Sequence, residues 1–306
     1  MKKIILFLAF LSICTLSFAQ TEAQDSVPPT KWKLYWKLSG TVGLKASQTQ
    51  LVNWAAGGNS NFTGIAYANL TLNYKKNRLA WDSNLDTDLG ALYSSDFKNY
   101  KVRKANDKIK FSTIFGYMIS PEHHVNSKWF VAASGGFKSQ YMKGYEYPTD
   151  STRNKLSGWV SPSYTELSLG INWKWKDLLS VYCSPIAGLI TSCTDTALRH
   201  SYGLPQNKSA IASLGLTLGA TVTYEAVKNL KILSGVKLYT PYTDKDQKFG
   251  NFNVDWDFMI TYQFLKVLNV SLTTNLKYYH KVLFPEGRKR RVQFQEIFGI
   301  GVAYSF

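Results

Sequence analysis

The sequence of 306 residues has few cysteines, few histidines and few acidic residues. One of its three cysteines, Cys14, lies in an apolar leader, while Cys183 and Cys193 are ten residues apart on what reads as one strand and its loop. An extended chain holds such a pair roughly 30 Å apart, which is too far for a disulfide bond. We therefore predict that Cys183 and Cys193 are free thiols.

Long apolar runs are absent after Leu11, where no segment approaches the roughly 18 apolar residues of a membrane-spanning helix. If the chain enters a membrane, only a closed β-barrel satisfies its backbone there. The four histidines form no spaced ligand set, because Glu122-His123-His124 has no third ligand. We predict no metal site and no cofactor.

Acidic residues are outnumbered, with 36 Lys and Arg against 20 Asp and Glu. Removing Lys2 and Lys3 with a signal peptide leaves 34 basic residues and a net charge near +14. On an exported barrel this charge either contacts lipid phosphates or keeps the rims solvated. We expect outer-membrane lipid as a partner, lipopolysaccharide phosphates as a further candidate, and no nucleic acid.

The N-terminus has the three parts of a secretory signal: basic Met1 to Lys3, apolar Ile4 to Leu11, and a small-residue cleavage site ending at Ala19. A lipoprotein reading of Cys14 is disfavoured because Ile13 stands where a small residue is needed. We predict a cleaved signal peptide over residues 1–19, a short periplasmic segment over 20–30 and a barrel over 31–306 in the outer membrane of a Gram-negative-type envelope.

The last fifteen residues alternate between a large apolar set and a small or polar set, and the chain ends on an aromatic. This pattern is typical of the closing strand of an outer-membrane barrel. We predict that Tyr304 and Phe306 form the assembly signal and that the barrel-assembly machinery is a partner during biogenesis.

The same alternation recurs upstream and predicts an all-β fold, a single transmembrane antiparallel up-and-down barrel of about twelve strands. A β-sandwich with its apolar faces inward remains the alternative, because parity alone does not say which face points outward. Tight turns alternate with long loops, which places the turns and both termini in the periplasm. The strands are predicted near residues 33–47, 61–75, 79–93, 107–119, 128–142, 160–175, 178–190, 208–224, 229–241, 251–264, 267–281 and 292–306.

Charged side chains of inward parity are the main candidates for function. They form either a charged constriction that selects solutes or an interior filled by structural ion pairs. In the lumen we expect Asp255 and Asp257 to neighbour Lys237 and Lys277 on adjoining strands. The candidates are Asp82, Asp86, Asp88, Lys108, Lys110, Glu166, Lys237, Asp255, Asp257 and Lys277, with Lys138 and Lys174 facing them.

Two loop segments are further candidates. Trp54, with Gly57 and Gly58, lies in an apolar loop that either folds into the mouth as a plug or packs on its neighbours. The basic run before the last strand either binds lipid phosphates or is a solvated loop, and it includes Arg288, Arg290 and Arg291.

A resemblance covers nearly the whole chain after the signal. The segments Asn53-Trp54-Ala55-Ala56-Gly57-Gly58-Asn59-Ser60, Tyr74-Lys75-Lys76, Trp81-Asp82, Asp107-Lys108-Ile109 and Gly144 to Pro148, and the close from Gln293 to Phe306, resemble a Bacteroidota-type outer-membrane barrel family catalogued as a domain of unknown function. The resemblance implies the location and the fold, and it brings no catalytic residues.

The sequence indicates the function of the protein less directly than its location. We predict a narrow channel or binding barrel for small polar solutes, with a structural or assembly component of the outer membrane as the alternative. A lipid-modifying enzyme is the third reading, but His280 has no nucleophile of matching parity beside it. We therefore predict that the chain is not an enzyme.

Overall fold

The computed structural model describes residues 35–49, 61–95, 97–121, 126–149, 151–244, 247–265, 267–282 and 290–306. All of its strands lie in the compact unit Trp36–Phe306. The wall strands are β1 (Trp36–Thr49), β2 (Asn61–Lys76), β3 (Leu79–Tyr93), β4 (Val102–Met118), β5 (Ser127–Ser139), β8 (Ser163–Trp175), β9 (Leu179–Ser192), β10 (Ala210–Val227), β11 (Leu230–Pro241), β12 (Asn253–Gln263), β13 (Leu268–Tyr278) and β14 (Gln293–Ser305).

These twelve strands form one closed barrel in which each pairs antiparallel with its neighbours and β14 returns to β1. The short strands β6 (Gly144–Glu146) and β7 (Asn154–Ser157) form a separate hairpin, so that β5 pairs directly with β8. The predicted fold class and the count of twelve wall strands are therefore confirmed.

Two irregularities in the wall explain where predicted strand ends differ from the structure. The pairing of β3 with β4 shifts between Gly90 and Ala91, so Ala105 has no partner and β4 begins at Val102 rather than near 107. In β9 the register shifts around Pro185, which has no amide N–H for the ladder. A one-residue bulge reverses the parity of everything beyond it.

The distribution of burial is the reverse of that in a soluble sandwich. The buried side chains of the wall are mainly small and polar, such as Ser168, Asn172 and Ser271. Large apolar side chains point outward, and Leu167 and Phe298 are 65% and 61% exposed. An apolar exterior around a polar interior is the arrangement of a membrane barrel. The chain is therefore an outer-membrane-type β-barrel.

The two ends of the barrel differ in their connections. At the end with tight turns, three turn residues take positive φ angles, 51° at Asn77, 51° at Lys176 and 70° at Asn229. Aromatic rings gather at this end, where Trp36 lies 4.7 Å from Tyr74 between ring centroids. This is the expected composition of a periplasmic rim, and we name the two ends accordingly. Among the described residues, no helix is long and apolar enough to cross a membrane.

The outer loop after β9 has a small core of its own. It contains the 3-10 helices Thr196–Leu198 and His200–Tyr202, and Cys193, Leu198 and Leu204 are buried together. Asp195 accepts from the Ala197 amide at 3.0 Å and pairs with Lys155 near the β6–β7 hairpin, and this hydrogen-bonded lysine lowers the pKa of Asp195. Burial raises the pKa of Tyr202 to about 12. Cys183 and Cys193 are both free thiols, as predicted.

Candidate lumenal site

The inner face of the outer half of the barrel holds a cluster of alternating charges, which we call the lumenal charge cluster. Five lysines face four aspartates, so its net charge is +1 with every group ionised. The cluster consists of Lys45, Asp86, Asp88, Lys108, Lys110, Lys138, Asp255, Asp257 and Lys277.

One part of the cluster joins neighbouring strands. Lys108 Nζ on β4 lies 2.7 Å from Asp86 Oδ2 and 3.4 Å from Asp88 Oδ2, both on β3. All three side chains are mostly buried. A shared lysine between two carboxylates reduces the repulsion that the two would exert on each other at this distance.

A second part crosses the lumen. Lys110 Nζ on β4 lies 2.6 Å from Asp257 Oδ2 on β12, and five strands separate β4 from β12 in either direction around the wall. Lys138 on β5 pairs with Asp255 on β12, which also accepts from the Tyr279 hydroxyl at 3.0 Å. Side chains from opposite walls therefore meet near the barrel axis.

A stacked pair of tyrosines adds to this crossing. The rings of Tyr164 on β8 and Tyr279 after β13 are 5.3 Å apart between centroids and inclined by 4°. Together with the Lys110–Asp257 and Lys138–Asp255 ion pairs, this stack narrows the outer half of the lumen.

These partners differ from those expected from the strand register. Asp255 is opposite both Lys237 and Lys277 in the ladders, as the sequence suggested, but its ion pair is with Lys138. Lys237 instead pairs with Glu166 Oε2 at 2.9 Å across β9 and β10. Neighbours in the ladder are thus not the ion-pair partners here, because long side chains reach over adjacent strands toward the axis.

Near the periplasmic end, an ion pair lies inside the lumen and several basic residues lie at the rim. Asp82 Oδ2 lies 2.5 Å from Lys174 Nζ, and Asp82 Oδ1 accepts from the Asn73 amide at 2.7 Å. A cavity of about 880 Å³ opens here between the ends of β2, β3, β4 and β5. Its lining includes four basic residues, Lys75, Lys76, Arg78 and Lys128. The periplasmic rim is therefore open and basic on this side of the barrel.

Some buried polar groups of the inner face lack partners. Asp88 Oδ1 and Asp255 Oδ1 accept no hydrogen bond among the described residues, and the same holds for Asn269 Oδ1, Ser271 Oγ and Thr273 Oγ1 along β13. Buried polar atoms are costly unless water or a ligand satisfies them. Water or a polar solute in the lumen is the partner that such atoms require.

Two lysines of the cluster have no ion pair within the described part of the chain. Lys277 lies among Lys138, Asp255 and Asp257 without contacting a carboxylate at ion-pair distance, and Lys45 Nζ lies 4.5 Å from the centroid of the Tyr67 ring. Lys45 was missed as a candidate from the sequence, although it shares the inward parity of Thr41 and Gly43.

The remaining candidates lie at the rims. Trp54, Gly57, Gly58 and Arg288 are outside the described residues, as is Glu122-His123-His124. Arg290 Nε donates to the His280 carbonyl at 2.7 Å, and Arg291 lies beside it ahead of β14. His280 Nδ1 is 3.4 Å from the Tyr278 hydroxyl oxygen. The described residues contain no group of three or more His, Cys, Asp or Glu suited to hold a metal ion.

The proposed assembly signal lies at the join of the first and last strands. Phe306 exchanges two backbone hydrogen bonds with Gly40, at 2.9 and 3.0 Å, and its ring stacks on Tyr304 with centroids 5.9 Å apart. A side chain at Gly40 would meet the Phe306 ring at 2.9 Å, so glycine allows this close approach.

With this geometry established, comparison with known proteins finds a family model that matches part of the chain. Residues 46–145 match the family described as "Protein of unknown function (DUF3078)". The DUF3078 match includes the Asn53 to Ser60 segment and the strands that carry Asp82 to Lys138, and it confirms the resemblance over those residues. No curated protein matches the chain.

Several solved structures are similar in outline to the chain. The translocator domain of the autotransporter NalP from Neisseria meningitidis is 11% identical, with 98% of this chain and 97% of that chain covered and a TM-score of 0.36. An outer-membrane channel from Pseudomonas putida F1 is 11% identical over 94% of this chain and 100% of that chain, with a TM-score of 0.40. The NanC porin is 10% identical over 88% and 100%, with a TM-score of 0.38.

Proposed function

We propose that this barrel is a narrow channel or binding barrel for small polar solutes. The observation that carries the proposal is the inner face, which is polar along its length and keeps buried hydroxyl, amide and carboxylate atoms without partners in the described part of the chain. Such groups exchange hydrogen bonds with water or with a solute of similar polarity. The open, basic side of the periplasmic rim lies at one end of this lumen.

The crossing ion pairs set the width of this path. Lys110 and Asp257 join opposite walls, so a solute moving along the axis has to pass beside them or displace them. Rings of charge at a constriction select solutes by charge and size. We assign selection to the lumenal charge cluster and no catalysis to any residue.

A structural role in the outer membrane is the second candidate, and the same crossing pairs favour it. Ion pairs that join opposite walls resist deformation of the barrel and fill space that a channel would leave open. In this reading the lumen conducts nothing, and the charges serve stability alone.

Conductance of the refolded chain in planar bilayers tests the proposal. We expect discrete open steps for the natural sequence, larger steps for the double variant Lys110→Ala/Asp257→Ala, and a shift toward anion selectivity for Asp257→Asn. A matched double variant at the periplasmic end, Asp82→Ala/Lys174→Ala, is expected to change the size of the conductance steps less. Silence of the natural chain and of the crossing double variant would support the structural role instead.

A further inference from the structure

The join between β1 and β14 is shorter than every other join in the wall. Its ladder runs only from Thr41–Ser305 to Ala46–Ile300, with Gly40 and Phe306 adding backbone hydrogen bonds at the periplasmic end. Other neighbouring strands pair over ten or more residues. The seam is therefore closed in its periplasmic half.

In the outer half the two strands part. Ser47, Gln48 and Thr49 pair with β2 alone, although Gly299, Phe298 and Ile297 would be their partners if the β14 register continued. β14 itself continues to Gln293 through its pairing with β13. Backbone groups of β1 and β14 thus face one another across a gap at this height.

A cavity of about 270 Å³ occupies this gap. Lys45, Ser47 and Thr63 line it on the side of β1 and β2, and Gln295, Ile297 and Phe298 line it on the side of β14. Most lining residues, such as Lys45, Ser47 and Thr63, face the lumen, whereas Glu296 and Phe298 face outward. The cavity therefore opens to the lumen and reaches the outward-facing residues of β14.

The chemistry changes from one side of the wall to the other. On the lumen side the Lys45 ammonium makes no ion pair with any described residue, and its stem lies over Gly299, 3.5 Å from where a Cβ would stand. On the membrane side, Phe298 and Ile300 are 61% and 54% exposed, with Glu296 exposed nearer the outer rim. A cation inside and an apolar face outside match a molecule with an anionic head and an acyl chain.

We propose that the cleft between β1 and β14 is a lateral binding site for an acyl-chain amphiphile with an anionic head. The head enters the wall and contacts Lys45, Ser47 and Thr63, while the chain remains in the membrane along Phe298 and Ile300. Glu296 also lines the cleft, one outward-facing position nearer the rim than Phe298, and the acyl chain runs from Phe298 toward Ile300 and the periplasmic side, away from this carboxylate. The site does not depend on whether the lumen conducts along its axis.

Photolabelling tests the site on the full refolded chain. The probe is a sixteen-carbon fatty acid with a diazirine near the end of its chain, and labelled peptides are identified by mass spectrometry. We expect the peptide with Phe298 and Ile300 to be labelled severalfold more than the peptide with Leu167 and Leu169, which are 65% and 56% exposed on β8 away from the seam. The methyl ester of the same probe is expected to lose this preference.

Two variants and one control assign the site to the cleft. Lys45→Gln removes the cation, and Gly299→Trp fills the cavity from its wall, so each is expected to lower seam labelling severalfold without changing labelling of β8. Lys37→Gln, which removes an exposed lysine of the same strand and parity, is expected to change neither. Heat-modifiable gel mobility shows that each variant is folded. Equal labelling of β14 and β8, or unchanged seam labelling in folded Lys45→Gln, overturns the proposal.

Discussion

The two ends of the barrel close in opposite ways. At the periplasmic end the rim holds a basic cavity of about 880 Å³ between β2 and β5, and the seam is held by Gly40 and Phe306. At the outer end the lumen is crossed by Lys110–Asp257 and Lys138–Asp255, while the seam ladder stops at Ala46. The outer half is therefore narrowed by side chains where its seam is unpaired, while the periplasmic half combines a paired seam with an open, basic rim.

This difference shows that side chains and backbone contribute to closure at different heights. Backbone hydrogen bonds of the seam hold the cylinder at its periplasmic end, where the side chains leave space. Ion pairs between opposite walls hold it at the outer end, where the seam contributes little.

Deleting Phe306 is expected to have the largest effect. The deletion removes both backbone hydrogen bonds to Gly40 and the ring stacked on Tyr304, so we expect outer-membrane levels to fall roughly tenfold and unfolded chain to be degraded. Immunoblots of outer-membrane fractions measure this. Phe298→Ala is the control, because Phe298 lies on the same face of β14 beside the unpaired part of the seam. Similar losses for both variants would contradict a seam held mainly at its periplasmic end.

A charge on the outer face tests the wall between the two ends. Leu216 lies near the middle of β10 with its side chain outward, and Leu216→Arg is expected to cost about 2 to 4 kcal/mol of folding free energy in lipid. Thr221→Arg on the same strand points into the lumen, where Thr221 is exposed, and it should cost less. Urea unfolding in vesicles compares them. Equal costs would show that the inward and outward faces of β10 are wrongly assigned.

Removing one partner of a crossing ion pair is expected to lower the folding free energy more than removing one partner of the Asp82–Lys174 pair at the periplasmic end. Asp257→Asn leaves five lysines against three aspartates in the lumenal charge cluster, and we expect a loss of about 1 to 3 kcal/mol, because the pair is only about two-thirds buried. Adding Lys277→Gln should restore part of it. Asp82→Asn breaks a pair of similar burial but leaves only Lys174 uncompensated, without the cluster of lysines that surrounds Asp257, and should cost about 1 kcal/mol or less. A larger loss for Asp82→Asn would reverse the comparison.

The smallest effect is expected in the outer loop. Lys155 lowers the pKa of Asp195, so their interaction is complete at pH 7 and is lost only as the pH falls below the usual range of a carboxyl group. In a Cys183→Ser background, Asp195→Asn should raise maleimide labelling of buried Cys193 a few-fold at pH 7, while Lys208→Gln should not. Labelling that is insensitive to Asp195 would show that the buried leucines alone hold the loop.

The wall was largely predictable from the sequence because alternation has one simple cause. Wherever one face meets lipid and the other meets a polar lumen, parity separates the two, and β10, β12, β13 and β14 follow the predicted faces. The start of β4 was predicted too late because the bulge at Ala105 shifts the parity by one residue.

The site was less predictable than the wall. Inward parity identified most of the charged groups, but their partners depend on positions around the circumference, which no local pattern records. Lys110 and Asp257 are separated by 147 residues. The length of the seam was equally hidden, because β1 and β14 both continue to alternate beyond the point where they part. Lys45 was missed for a related reason, because the binding role that we propose for it depends on the cleft between β1 and β14 rather than on the pattern of β1 itself.

The reach of Lys110 to Asp257 has a consequence for the order of folding. Before β14 joins β1, the wall is an open curved sheet whose charged face is in contact with water, and strands such as β4 and β12, with five strands between them, are not yet opposite one another. The crossing contacts can form only when the cylinder is complete, so water is withdrawn from these charges in the final step of insertion. High salt screens these charges, so we expect it to slow the closure of the barrel and to leave the earlier pairing of strands unaffected.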